Sequence, residues 1–199
     1  MRDAIAKYHI QPCNIYNWDE KGFLIGLLRT LKRIVPINAI KDGRSLGAAQ
    51  DGSREFISLL ACISAAGKVL PPALIYEGST FDLQDTWVDD VKEKDEVYFA
   101  STKNGWSCDA LGLDWLVRVF DRHTKKEAGN RRRLLIVDGH SSYINMAFVK
   151  KADELHILLL VLPPHTTHRL QPLDVGLFQP LSTAYSKHLN KFSFTIFLG

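Results

Sequence analysis

Three aspartates carry the chemical interest of this 199-residue chain: Asp19, Asp138 and Asp174. Each stands where a strand is expected to end or a helix to begin. Brought together, three carboxylates make an all-oxygen cage suited to Mg²⁺ or Mn²⁺, hard cations that take oxygen ligands. Such a centre serves phosphodiester chemistry, because two ions about 4 Å apart can activate an attacking oxygen on one side and stabilise a leaving oxygen on the other. Taken singly, the residues have plainer readings. Asp138 precedes Gly139 after an apolar run, where Asp is a frequent turn former, and Asp174 precedes V-G-L-F, where Asp is a frequent helix cap. The chemistry depends on convergence.

Other polar groups cluster near these positions in sequence. His140 follows Asp138 closely enough to orient a carboxylate or a water, or to serve simply as a turn residue. His165 and His168 form an H-T-T-H loop, but no third nitrogen or sulfur ligand is close in sequence, so loop hydrogen bonding or a phosphate contact is preferred to zinc. Glu20 adjoins Asp19 and points to the opposite face of a regular strand, which suits a solvent-facing or structural role. Lys125, Lys126 and Arg131 to Arg133 make a basic cluster, read either as a phosphate-binding patch or as a solvated loop.

Positioning these groups falls to a small set of elements. Residues 14 to 19 (N-I-Y-N-W-D) read as a first strand, broken after Asp19 by Lys21-Gly22. The stretches 54 to 64 and 69 to 76 flank a turn at Gly67 and read as an antiparallel hairpin. Pro71 and Pro72 confine its second strand to an edge, or to a start beyond them. Residues 78 to 104 carry many charges and turn formers and give no clear element. Ser107 is a suitable N-cap for a helix of about four turns with Leu111, Trp115, Leu116, Val119 and Phe120 on one face. Two uninterrupted apolar runs, 134 to 137 and 157 to 162, read as strands buried on both faces, with a short helix capped by Asn145 between them. That order implies a parallel crossover. Ligands of such sheets lie beyond the carboxyl ends of parallel strands, where Asp138 stands and to which Asp174 can return at the head of a helix interrupted by Pro180.

Composition sets the outer bounds. With 46% hydrophobic residues and 24% charged, the chain reads as one globular domain with enough apolar material for a core. Its three cysteines, Cys13, Cys62 and Cys108, form no metal-ligand spacing or disulfide framework, which fits a reducing compartment. No apolar run approaches the roughly 20 residues of a membrane span, so no membrane partner is expected. A net charge of +3 permits a nucleic-acid partner without demanding one.

Several strings in order are similar to those of a known family: N-W-D-E-K-G-F-L-I-G, Q-D-G-S-R-E-F-I-S-L-L-A-C-I, L-P-P-A-L-I-Y, L-L-I-V-D-G-H-S-S and L-P-P-H-T-T-H-R-L-Q-P-L-D-V-G-L-F. They resemble the DDE superfamily endonuclease domain of pogo-type transposases of the mariner superfamily, over roughly residues 5 to 192. The resemblance implies an α/β, RNase H-like fold: a mixed five-stranded sheet, antiparallel over its first three strands and then parallel, flanked by helices. It implies metal-dependent DNA cleavage and strand transfer, with Asp19, Asp138 and Asp174 as first, second and third acids holding two Mg²⁺ or Mn²⁺ ions. It further implies DNA as partner, both transposon ends and target, with a homodimer and a nuclear location. Within this frame 1–192 forms the catalytic domain, lacking the helix-turn-helix modules that precede it in intact members, and 193–199 forms an atypical apolar tail. Tyr143 stands where the family often has His. These departures leave open an alternative, a catalytically inactive or domesticated protein that binds DNA or another protein. An RNase H-like hydrolase of RNA hybrids shares the fold but not the strings.

Overall fold

The computed structural model describes residues 1–24, 56–78, 91–92, 94–139, 144–163 and 170–196. Six strands form one sheet: β1 Ile15–Leu24, β2 Phe56–Ser64, β3 Ala73–Glu77, β4 Tyr98–Thr102, β5 Arg133–Val137 and β6 Ile157–Val161, in the order β4-β3-β2-β1-β5-β6. Strands β1, β2 and β3 pair antiparallel, whereas β1–β5, β5–β6 and β3–β4 pair parallel. The mixed pattern is the expected one, with a sixth strand added. That strand, Y-F-A-S-T, lies in the charge-rich stretch that gave no clear element. It is held because every residue of β3 has a partner in it, from Ala73↔Tyr98 to Glu77↔Thr102.

The first strand is longer than its sequence suggests. It passes through Lys21-Gly22 to Leu24, because β2 pairs with it as far as Leu24↔Phe56. Gly22 is a packing residue: a Cβ there would lie 2.7 Å from the Trp106 ring. Asp19 is therefore in the middle of β1 rather than late on it. Pairing with β5 nonetheless stops at Asn17↔Ile136, so Asp19 lies just past the carboxyl end of its parallel neighbour. The hairpin forms as expected: Gly67 takes φ 86° in the turn, a value L side chains resist, and β3 starts after the two prolines.

Alternation along β1 sends Tyr16 and Trp18 to one face and Asn17 and Asp19 to the other. The first face meets helix α2, an α-helical segment Asp109–Trp115 continued by a π-helical segment Leu116–Asp121 and a second α-helical segment Arg122–Ala128. Helix α3, Met146–Glu154, joins β5 to β6 and is capped by the Asn145 side chain, which accepts from the Phe148 N–H at 2.9 Å. Trp18 is stacked on Trp115 with ring centroids 4.0 Å apart and planes within 2°, and Phe148 follows at 5.9 Å. Tyr16 meets Phe120 edge-on at 5.1 Å. With Leu60, Ile75, Leu116, Leu135 and Val137 these rings form the main core. Helix α2 begins after Cys108, not Ser107. The Ser107 hydroxyl donates to Glu20 Oε2 and its N–H to Glu20 Oε1 at 3.1 Å, so Glu20 is a structural strut between β1 and the helix start.

The opposite face has a smaller apolar cluster. Helix α1, Arg2–Tyr8, brings Ile5 and Tyr8 against Ile10, Leu134, Ile136 and Leu162. Helix α4 opens as a π-helical turn, Leu173–Leu177, and continues as Phe178–Ile196. It runs through Pro180 without interruption, because the wider π turn just before it relieves the clash of the ring with the preceding carbonyls. The Tyr185 hydroxyl donates to the Leu24 carbonyl at 3.0 Å, which ties α4 to the far end of β1. The helix extends to Ile196, and residues 197–199 of the expected tail lie outside the described residues.

Candidate functional site

Strand β5 delivers Asp138 because its five residues, Arg133 to Val137, are all buried, and the chain becomes accessible only at Asp138-Gly139. Gly139 is required by a close approach: a Cβ there would lie 2.5 Å from the Leu162 carbonyl oxygen. The Leu162 N–H donates to Val137 O at 2.9 Å, so the ends of β5 and β6 are pinned side by side directly beneath Asp138.

Asp174 is delivered by the π turn at the head of α4. Two side-chain amides seat that turn. Asn17 spans three elements: its Nδ2 donates to Ile136 O on β5 at 3.2 Å, and its Oδ1 accepts from the Leu173 N–H at 3.0 Å. Gln171, fully buried, donates from Nε2 to Trp18 O on β1 at 3.1 Å. Asp174 follows Leu173 directly, so the same bonds set where it begins.

Asp19 is 7% exposed. Its Oδ1 accepts from the Glu20 N–H at 2.9 Å, while its Oδ2 is buried without a hydrogen-bond partner. Burial pushes this carboxyl up from 3.8 to about 7. The Glu20 N–H and the Gln171 amide pull against the rise, and the negative charges of Asp174 and Asp138 add to it. The field at Asp19 thus records both other acids: the fold brings the three into one electrostatic neighbourhood. Among the described residues no three His, Cys, Asp or Glu side chains stand close enough to hold an ion as they are. Like charges without a cation keep apart, so a shared field without a shared coordination shell is the expected arrangement.

The donor set fits a divalent cation. A buried carboxylate oxygen without a hydrogen-bond partner is costly unless something positive meets it, and Asp19 Oδ2 is such an atom, in a carboxyl that lies within the field of two further carboxylates. His140, His165, His168 and Tyr143 lie outside the described residues. The arginines of the basic cluster are at the other end of β5 and are engaged within the molecule. Arg131 donates to Gln11 at 2.9 Å, Arg132 pairs with Asp153 at 3.4 Å, and buried Arg133 pairs with Asp121 at 2.8 Å.

Sequence reasoning missed Asn17 and Gln171. Asn17 had a signal: a polar residue two positions before Asp19, on the same face of a strand whose other face is Tyr16 and Trp18. Gln171, enclosed by Leu170 and Pro172, shows no periodic pattern, and only the tertiary fold reveals its bond to β1.

Comparison with known proteins identifies the family and the fold. Residues 53–195 match the family described as DDE superfamily endonuclease. An MFS-type transporter, clz9, of Cochliobolus lunatus is 35% identical over 184 residues, covering 92% of this chain and 19% of that protein. The human pogo transposable element with KRAB domain is 25% identical over 126 residues, covering 63% of this chain and 19% of that protein. The chain spans about a fifth of the length of these curated relatives. Among the described residues no helix is long and apolar enough to cross a membrane. Of solved structures, a pre-cleavage Mos1 transpososome aligns with TM-score 0.59 and 16% identity over 92% of this chain and 46% of that one. The catalytic domain of Mos1 mariner transposase aligns with TM-score 0.52 and 14% identity over all of this chain and 77% of that one. The sheet and its flanking helices are thus the RNase H-like fold of that catalytic domain.

Proposed function

The chain belongs to the DDE superfamily endonucleases, in the pogo/mariner branch of transposases, and from that premise we propose that it cuts and joins DNA phosphodiesters with Asp19, Asp138 and Asp174 as ligands of two Mg²⁺ or Mn²⁺ ions. The observation that carries this reading is the buried, partnerless Oδ2 of Asp19, whose carboxyl feels both other acids. The ions would supply Lewis acidity at the attacking and leaving oxygens. A Mos1 paired-end complex has been solved with Mn, and a Mos1 complex with a transposon end motivates DNA as the partner here; a homodimer and a nuclear location belong to the proposal through the family resemblance alone.

The protein's own part is placement. Asp19 is fixed on the central strand, with one oxygen held by the Glu20 N–H and the other left unsatisfied. Burial favours the protonated form of this carboxyl, and cation uptake would displace the proton. Asp138 rides on the pinned ends of β5 and β6, and Asp174 on a turn bonded to β1. Hydrolysis and strand transfer then differ only in whether water or a DNA 3′-hydroxyl attacks.

The test is Mn²⁺ calorimetry followed by cleavage of duplex DNA, with Asp138→Asn as control. Stoichiometric binding and cleavage, both lost in the variant, are expected. A folded protein that binds neither ion would support the second reading, an inactive or domesticated DNA- or protein-binding descendant.

A further inference from the structure

The bonds of Asn17 run across the described site. One amide joins the end of β5, the start of α4 and β1, the three elements that carry Asp138, Asp174 and Asp19. Its donor and acceptor are both used, and both partners are backbone groups, so the bridge fixes main-chain positions rather than one rotamer. Asn17 is 4% exposed and shares its face of β1 with Asp19 two residues on. Gln171 adds a parallel tie, from the same turn to the carbonyl of Trp18, the residue between Asn17 and Asp19. A strand and a helix start held only by apolar packing could slide relative to one another. Two directed bonds at neighbouring positions of β1 prevent that.

We propose that Asn17 is the positioning residue of the acid centre, with Gln171 as its auxiliary: together they set the separation of the three aspartates and so the affinity for the divalent cation. This rests on the metal-centre reading above. It assigns Asn17 no contact with DNA or with reacting atoms; it acts through the places it gives Asp138 and Asp174.

Removing groups that orient metal ligands commonly costs about 10–100-fold in affinity or activity. The experiment compares the wild-type chain with Asn17→Ala, and with Gln171→Met, which keeps volume and drops the bond should the first variant fold poorly. Three quantities are read on each: Mn²⁺ affinity by calorimetry, kcat and KM for cleavage of a duplex DNA, and amide exchange at Leu173 without metal. Expected are at least tenfold weaker Mn²⁺ binding and a fall in kcat with KM for DNA unchanged. Leu173 exchange should quicken in Asn17→Ala alone. A folded variant with lower thermal stability but wild-type Mn²⁺ affinity and kcat would overturn the inference and leave the residue a structural one. Wild-type protein that takes up no Mn²⁺ would overturn the metal-centre reading itself, and the inference with it.

Discussion

The two faces of strand β1 solve burial in opposite ways. On one, Tyr16 and Trp18 are enclosed by Phe120, Trp115 and Phe148 in stacked and edge-on contacts. On the other, Asn17 and Asp19 are buried almost as completely, but among amides, backbone groups and charge. The aromatic side is held by ring packing, although the buried Tyr16 hydroxyl there has no hydrogen-bond partner. The polar side leaves Asp19 Oδ2 and Gln171 Oε1 without partners. One strand therefore anchors the fold with Tyr16 and Trp18 and carries Asn17 and Asp19 of the candidate site on its other face, so the two can be perturbed separately at adjacent positions.

The sharpest break is on the aromatic side. Trp18→Ala removes a ring stacked at 4.0 Å in the centre of the core, and should cost about 3–5 kcal/mol, seen as a large drop in the urea midpoint. On the polar side the sign reverses. The folded protein holds the Asp19 proton up to about pH 7, whereas the unfolded chain releases it near 3.8. Metal-free stability should therefore decline as pH rises from about 4 to 7, by an amount on the order of a few kcal/mol. Asp19→Asn should abolish that slope, making the metal-free protein more stable than wild type above pH 7 and no different near pH 4; denaturant melts at the two pH values decide this. Gly139→Ala places a methyl 2.5 Å from a backbone oxygen and should cost roughly 1–3 kcal/mol. Because it also moves Asp138, its Mn²⁺ affinity should fall more than its melting temperature suggests. The mildest change, Ser107→Ala, deletes the hydroxyl bond to Glu20 and should lower stability by about 1 kcal/mol while cleavage per folded molecule is unchanged.

The legible parts of the fold were those in which local pattern and tertiary role coincide. The run Leu134 to Val137 reads as a buried strand and is one, Asn145 reads as a cap and accepts from Phe148 N–H, and Trp115 reads as core and stacks on Trp18. Pattern failed where a partner elsewhere decided the outcome. The strand Tyr98–Thr102 is short and follows a polar stretch, and exists because β3 offers it a parallel edge. Gly22 looks like a break yet lies within β1, its missing Cβ filled by Trp106. Pro180 looks like a stop and is carried through behind a π turn. In the site, the three acids could be named from sequence and resemblance. What brings Asp174 to them, the bonds from Asn17 and Gln171, joins positions more than 150 residues apart; Asn17 leaves a faint mark as a polar residue on the Asp19 face of the strand, and Gln171 leaves none.

That separation has a consequence for how the protein is made. The bond between Asn17 and Leu173 links positions 156 residues apart, so the acid centre cannot close until nearly the whole domain has left the ribosome. Synthesis is vectorial and contacts between distant positions form late. Asp19 and Asp138 therefore wait, separated from the third acid, while α3, β6 and the loop beyond them are translated. A partly made chain carries two of its three acids and no seat for the last one. On the function proposed above, a partly made chain would be unable to cut DNA before it is finished.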